Sequence, residues 1–294
     1  MPEKQMKRLA KDTAIYGLSS IIGKFLNWCL VPLYTYVLES SADYGIVTNL
    51  YAWTALLLVI LTYGMETGFF RFANKNRDDA PKVYGTTMIS VGFTSLLFAT
   101  ICVIFSQPIA NGMGYPKYPE FIAMLAIVVS MDAFDAIPFA YLRYKNRPIK
   151  FAALKLFMIF TNIFFNIFFL VICPWLQKKA PGLISWFYNP HYGVGYIFVA
   201  NLISTAAVTL ALLPDMLEAK FRLDMALLKK MLQYSLPLLL LGIAGIIDQT
   251  IDKIIFPFLF EDKAYAAAQL GIYGACFKIS MVMMMFTQAF RYAY

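Results

Sequence analysis

Eight stretches of apolar residues, each about long enough to cross a lipid bilayer, constrain the fold of this sequence most strongly. A helix rises about 1.5 Å per residue, so roughly 20 apolar residues cross a hydrocarbon core about 30 Å thick. The pattern therefore predicts an all-α protein, a polytopic membrane helix bundle of about eight transmembrane helices. We place the spans at residues 13–38, 44–65, 84–105, 121–142, 151–174, 192–213, 231–260 and 264–290.

The composition favours the same fold class. Hydrophobic residues make up 60% of the chain and charged residues only 14%, a balance that is not typical of a soluble domain of this length. The net charge is nevertheless +8, so the position of the positive charges decides what they mean.

Most of the basic residues lie before the first span and after the second, fourth and sixth spans. They are Lys4, Lys7, Arg8, Lys11, Arg71, Lys75, Arg77, Lys82, Arg143, Lys145, Arg147, Lys150, Lys220, Arg222, Lys229 and Lys230. The opposite connections hold only Lys117, Lys178, Lys179 and Lys263. The positive-inside rule then predicts a cytoplasmic N-terminus. Short basic loops beside anionic headgroups indicate contact with membrane lipid, and we expect no nucleic-acid partner.

Charged residues also occur within the predicted spans, where a central lysine or aspartate costs roughly 2.5 to 3.5 kcal/mol. The basic candidates are Lys24, Lys253 and Lys278, and the acidic ones are Asp132, Asp135, Asp248 and Asp252. These residues predict either a polar cavity shared by spans one, four, seven and eight, or static ion pairs between helices. Lys24 with Asp132 and Lys278 with Asp248 are examples of such pairs. Glu66, at the inner end of span two, is expected to pair with Arg71.

The other polar and reactive residues give fewer signals. Asn162 and Asn166 share a helix face and either bridge helices or bind sugars. Cys29, Cys102, Cys173 and Cys276 lack the spacing of a metal site or a disulfide framework. The sequence has no Gly-rich phosphate loop and no nucleophile beside a histidine, so we expect no cofactor, no metal and no enzymatic activity.

The chain is predicted to divide after the sixth span. Residues 1–213 form a six-helix transmembrane lobe, 214–230 an amphipathic cytoplasmic linker helix, and 231–294 the first two helices of a second lobe. An ordinary solvated connector is the alternative for 214–230. A faint repeat relates the two parts. Tyr16-Gly17-Leu18-Ser19 recurs as Tyr234-Ser235-Leu236-Pro237, Pro32-Leu33 as Pro257-Phe258, and Tyr44-Gly45-Ile46 as Leu270-Gly271-Ile272. Six intervening spans give the copies the same orientation, which is typical of a parallel repeat about the membrane normal. A complete second lobe would also have six helices, so we expect this one to be truncated.

Three stretches, residues 12–52, 137–156 and 227–256, resemble the polysaccharide transporter family of the MOP flippase superfamily. The resemblance covers the span spacing of the whole chain. It implies two lobes around a central cavity that opens alternately to the two sides of a bacterial cytoplasmic membrane. It also implies a cargo, an undecaprenyl-pyrophosphate-linked oligosaccharide moved from the cytoplasmic to the outer leaflet.

The resemblance suggests roles for the charged residues within the spans. Lysines at mid-depth would neutralise the anionic pyrophosphate, with Lys24 first, then Lys278 and Lys253. Asp132, Asp135, Asp248 and Asp252 would balance these lysines or bind protons or sodium ions. Two alternatives stay open: a cation-coupled exporter of drugs or organic cations from the same superfamily, and a membrane-embedded glycan polymerase or ligase.

Overall fold

The computed structural model describes Gly17 and residues 21–75, 77–219 and 221–293, with side chains described except at 181, 183, 191 and 284–293. Every regular element in these ranges is helical. The helices are α1 (Ile21–Val37), α2 (Ser41–Thr62), α3 (Met65–Lys75), α4 (Ala80–Ile104), α5 (Ser106–Met113), α6 (Pro119–Tyr144), α7 (Pro148–Ile167), α8 (Cys173–Lys179), α9 (Pro181–Ile184), α10 (Gly195–Met216), α11 (Met225–Ile255) and α12 (Lys263–Ala293). A π-helical turn, Phe168–Ile172, joins α7 to α8.

Seven helical segments of the described chain are long and apolar enough to cross a membrane, and α1 is a shorter apolar helix. The prediction of an all-α membrane bundle with about eight helices is therefore confirmed. The start of the first predicted span and the basic residues Lys4, Lys7, Arg8 and Lys11 lie outside the described residues, as does Lys220. The fifth span continues through the π-helical turn and α8 to Lys179, later than predicted. The short helices α5 and α9, in the connections after the third and fifth spans, were not predicted.

The second span ends later than predicted. Helical structure continues past residue 65 to Lys75, after a break at Tyr63 and Gly64, which both have positive φ (32° and 71°). A Cβ on Gly64 would come within 2.8 Å of the Ser235 carbonyl oxygen of α11. The glycine thus permits both the left-handed backbone and the close approach of α11.

The single amphipathic helix predicted over 214–230 is wrong. Here α10 ends at Met216, residues 221–224 are not helical, and α11 begins at Met225. Thr86 of α4 hydrogen-bonds the backbone between these two helices. Its hydroxyl donates to the Arg222 carbonyl (3.2 Å) and accepts from the Asp224 amide (3.3 Å). The Asp224 side chain then caps α11 by accepting from the Leu227 amide at 3.0 Å.

The structure has two compact units, each built from separate stretches of the chain. Unit one takes in the described residues up to Thr48, Asn146–Ser204 and the described residues from Phe258 onward. Unit two takes in Asn49–Lys145 and Thr205–Pro257. The division into a lobe at 1–213, a linker at 214–230 and a second lobe from 231 stays a prediction.

Each unit has its own helix packing. In unit one, α1 packs against α12, and Gly23 of α1 lies against Ile159 of α7. In unit two, α4 packs along α6, while α3 packs against α4, α6 and α11. The buried rings of Tyr84 and Tyr141 stack in unit two with centroids 4.0 Å apart, which joins α4 to α6.

Candidate functional site

Two predicted acidic residues lie together on one face of α6 in unit two. Asp135 is only 3% exposed, and the Thr209 hydroxyl lies 2.7 Å from its Oδ2. One turn away, the Thr205 hydroxyl donates to Asp132 Oδ1 at 3.3 Å. Asp132 and Asp135 are three residues apart, and Thr205 and Thr209 are four apart, so each pair lies on one face of its helix. The two faces meet, and α6 and α10 therefore share a polar seam. Thr205 and Thr209 were not predicted, although two threonines four residues apart within an apolar span were a usable signal.

Which hydrogen bonds the Thr209 hydroxyl can make depends on whether the Asp135 carboxyl is protonated. The Thr209 hydroxyl lies 2.7 Å from Asp135 Oδ2 and 3.0 Å from the Thr205 carbonyl oxygen. A hydroxyl has one hydrogen, so it can donate fully to only one of these acceptors. If the Asp135 carboxyl is protonated, it donates to Thr209 while Thr209 donates to Thr205, and both bonds form. Thr209 can therefore hydrogen-bond the Asp135 carboxyl with or without its proton.

Lys253 lies in the last turn of α11. It is 7% exposed, and its Nζ donates to the Gln249 carbonyl and to the Asp252 carboxylate, both at 2.9 Å. The Lys253 carbonyl accepts from Asn49 Nδ2 at 2.7 Å, and Tyr115 donates to Asn49 at 3.2 Å. These bonds hold Asp252 and Lys253 together as an ion pair at one end of unit two.

The remaining predicted charges lie on three different helices. Lys24 is exposed on α1, Lys278 is half-buried near the middle of α12, and Asp248 is exposed on α11. Lys24 and Lys278 belong to unit one, whereas Lys253 and all four aspartates belong to unit two. Within the described chain, no group of three or more His, Cys, Asp or Glu residues is arranged to hold a metal ion.

The asparagines in the spans of unit one bridge helices. Tyr34 of α1 donates to Asn166 Oδ1 at 3.0 Å, and Asn166 Nδ2 donates back along α7 to Asn162. Asn162 Nδ2 then donates to Ser204 of α10 at 3.3 Å. This chain of bonds ties α1, α7 and α10 together through buried polar groups, as in the helix-bridging alternative.

The basic connections of unit two make specific contacts at one end of its helices. Glu66 pairs with Arg143 of α6, so the prediction that Glu66 pairs with Arg71 is wrong. The Arg71 guanidinium instead lies over the Tyr234 ring, 4.0 Å from its centroid. Residues five apart point about 140° apart on a helix, which explains why Glu66 and Arg71 do not meet.

A second ion pair joins α4 to the start of α11. Lys82 Nζ lies 2.6 Å from Asp224 Oδ2. The hydrogen bond from Lys82 lowers the pKa of Asp224 from 3.8 to about 2.

The two copies of the predicted repeat cross at their glycines in unit one. A Cβ on Gly45 of α2 would come within 1.9 Å of the Ala267 carbonyl oxygen, and a Cβ on Gly271 of α12 within 1.9 Å of the Ser41 carbonyl oxygen. Each glycine thus meets the residue four positions before the other. The contact is symmetric, and only glycine allows the two backbones to approach so closely.

These features define the class of the molecule: a multi-pass membrane protein whose helices carry charged and polar residues along their length. The model of one family, described as polysaccharide biosynthesis protein, matches residues 9–290. The chain belongs to this family. Comparisons with curated proteins and with solved structures gave no match.

Proposed function

We propose that this protein is a flippase of the polysaccharide transporter type, within the MOP superfamily. Its cargo is an undecaprenyl-pyrophosphate-linked oligosaccharide, which it moves from the cytoplasmic to the outer leaflet by alternating access. It acts as a transporter and not as an enzyme. The family match over residues 9–290 supports a role in polysaccharide biosynthesis, and the membrane-length helices suit a cargo that must cross lipid.

The observation that carries this proposal is the set of charged groups on membrane-length helices. Lys278 is half-buried near the middle of α12, and Asp135 is 3% exposed within α6. Such groups are costly in hydrocarbon and are typical of substrate or ion pathways. A lysine ammonium at mid-depth neutralises a pyrophosphate while the prenyl chain stays in the lipid.

The residues divide into two proposed roles. Lys24 and Lys278 bind the pyrophosphate, and both lie in unit one. Lys253 is a weaker candidate because it is paired with Asp252 at the end of α11. Asp132, Asp135 and Asp248 balance charge or bind the coupling ion. Asp135 is the candidate for proton coupling because it is almost fully buried and hydrogen-bonded to Thr209.

The proposed orientation places the N-terminus and the basic connections in the cytoplasm of a bacterial cell. The Glu66–Arg143 and Lys82–Asp224 pairs lie at helix ends beside these connections. Anionic lipid headgroups in the inner leaflet attract the lysines and arginines around them. Membrane lipid and the lipid-linked oligosaccharide are thus the proposed partners.

Rescue of surface polysaccharide in a flippase-deficient strain tests the function. The gene carrying this sequence should restore the polysaccharide, and its Lys24→Ala variant should not, with equal amounts of protein in the membrane. Lys24→Arg should retain part of the activity because it keeps the positive charge. Lys117→Ala, which removes an exposed lysine from the α5–α6 connection, is the matched control and should rescue fully. Full rescue by Lys24→Ala would contradict the role of Lys24.

A second candidate, an organic-cation exporter, has one specific observation in its favour. All four candidate aspartates lie in unit two, and two of them share the polar seam with Thr205 and Thr209. A carboxylate seam suits a cationic cargo better than an anionic one. Uptake of tetraphenylphosphonium into inverted vesicles, lost in Asp135→Asn but kept in Lys24→Ala, would favour the exporter over the flippase.

A further inference from the structure

A cavity of about 370 Å³ lies within unit one, at the end of α1 and beside the third turn of α12. The connection between α1 and α2 closes one side of it. The lining residues are Tyr34, Thr35, Leu38, Glu39, Ser40, Ser41, Tyr44, Gly271, Ile272, Ala275 and Cys276. Its volume is within the range of small-molecule sites.

The walls of this cavity are held in place by local structure. Ser40 and Asp43 form a capping box at the start of α2, each side chain bonding the backbone amide of the other at 3.2 Å. Gly271 packs against the Ser41 backbone and leaves room beside α12. The Tyr34 hydroxyl is fixed by its bond to Asn166. The cavity is therefore formed by ordered elements rather than by a loop alone.

One polar group in the cavity wall has no hydrogen-bond partner among the described residues. Tyr44 is 5% exposed, and its hydroxyl makes no hydrogen bond with any residue in the described part of the chain. A tyrosine hydroxyl can both donate and accept a hydrogen bond, so Tyr44 can bond a ligand that enters the cavity. A ligand hydroxyl in the cavity would supply that partner.

The other polar groups indicate what kind of ligand fits. Glu39 adds an exposed carboxylate and Ser41 an exposed hydroxyl, while no lysine or arginine is among the lining residues. A pyrophosphate would meet the negative charge of Glu39 without a compensating cation. A sugar instead offers several hydroxyls that can donate to Glu39 and bond with Tyr44 and Ser41.

We propose that this cavity binds a sugar ring of the transported oligosaccharide, with the Tyr44 hydroxyl and the Glu39 carboxylate as its main polar contacts. The inference rests on the proposed function, because it assigns the cargo's sugar and its pyrophosphate to different sites. Lys24 and Lys278 take the anion, and the cavity at Tyr44 takes the neutral part.

Calorimetric titration of the purified protein tests this assignment, with the repeat-unit oligosaccharide released from the strain's own surface polysaccharide as the probe. Tyr44→Phe should weaken binding about five- to tenfold, because it removes one hydrogen bond and keeps the ring. Glu39→Gln should weaken binding as well. Two controls should leave the affinity unchanged. Tyr265→Phe changes an exposed residue at the start of α12, and Glu261→Gln changes an exposed residue of the α11–α12 connection.

Three results would overturn the inference: no binding of the oligosaccharide, an unchanged affinity in Tyr44→Phe, or displacement of the sugar by inorganic pyrophosphate or tetraphenylphosphonium.

As a second measurement, a bulky maleimide on Cys276 should block binding, since this exposed thiol lines the cavity. Peptide mass spectrometry gives the modification of Cys276 relative to exposed Cys29. Sugar binding without rescue of surface polysaccharide would contradict the proposed function alone, and rescue without sugar binding would contradict this inference alone.

Discussion

The contact between Thr209 and Asp135 joins α10 to α6 through a carboxyl group that is almost fully buried. Thr209→Val keeps the side-chain shape but removes the hydroxyl, which leaves this carboxyl oxygen without its bond. We expect a loss of about 1 to 3 kcal/mol in the free energy of unfolding, measurable as a lower Tm in detergent. Thr100→Val, at an exposed threonine that bonds only its own helix at Leu96, is the control. Equal Tm values for the two variants would contradict the role of the bond.

At Asp224 the prediction concerns pH. The pKa of this carboxyl is lowered from 3.8 to about 2 by Lys82 and by the Leu227 amide. A lowered folded-state pKa means that the ionised form stabilises the folded protein above pH 3.8, and this contribution disappears as the pH falls through about 2. The Tm difference between wild type and Asp224→Asn should thus be constant from pH 7 to about 5 and shrink below about 4.

A matched control for Asp224 is Asp262, which caps α12 by accepting from the Ala264 and Tyr265 amides. Among the described residues, Asp262 forms no ion pair. Asn is also a good N-cap, so Asp262→Asn should change the Tm little at any of these pH values. A Tm difference for Asp224→Asn that stayed the same down to pH 3 would show that Lys82 does not hold the charge.

At the scale of elements, the crossing of α2 and α12 is the contact most sensitive to one methyl group. Gly45→Ala would place a Cβ 1.9 Å from the Ala267 carbonyl oxygen, so the helices must separate. We expect a cost of about 1 to 3 kcal/mol in the free energy of unfolding. Gly245→Ala, at a helical glycine of α11 with no neighbouring atom within 4 Å, should be neutral or stabilising by up to about 1 kcal/mol. A tolerated Gly45→Ala would rule out the close crossing.

The elements also show where sequence patterns succeed and where they fail. Apolar length predicted the membrane helices, because the bilayer sets one dominant requirement for each of them. It did not predict the break at Tyr63 and Gly64, which depends on the approach of α11 from far along the chain. The linker helix failed for a similar reason, since Thr86 of α4 bonds the backbone at Arg222 and Asp224.

The candidate site could be predicted only in part. Charged residues within apolar spans identified Asp132 and Asp135, because few other positions in a membrane helix carry charge. Their partners Thr205 and Thr209 depend on how α10 packs on α6, which spacing within one helix does not determine. The pairing of Lys253 with its neighbour Asp252 was not predicted, because adjacent residues on a helix point about 100° apart.

For the whole molecule, the charge pattern predicts which connections face the cytoplasm. Asp78→Cys lies in the basic connection between α3 and α4, and Lys117→Cys lies in the connection between α5 and α6. A membrane-impermeant maleimide added to intact cells, with the outer membrane permeabilised, should label Lys117→Cys. It should label Asp78→Cys only after the cytoplasmic membrane is opened, because basic connections are retained inside. The reverse pattern would invert the proposed orientation.

The most direct test of the flippase proposal is translocation in proteoliposomes that contain only the purified protein. A fluorescent, dithionite-sensitive group on the oligosaccharide of the lipid-linked cargo reports which leaflet holds the sugar. We expect dithionite to bleach nearly all of the fluorescence with wild-type protein, but only the outer-leaflet half with Lys24→Ala. Bleaching that stops at the outer-leaflet half with folded wild-type protein, as in empty liposomes, would contradict it.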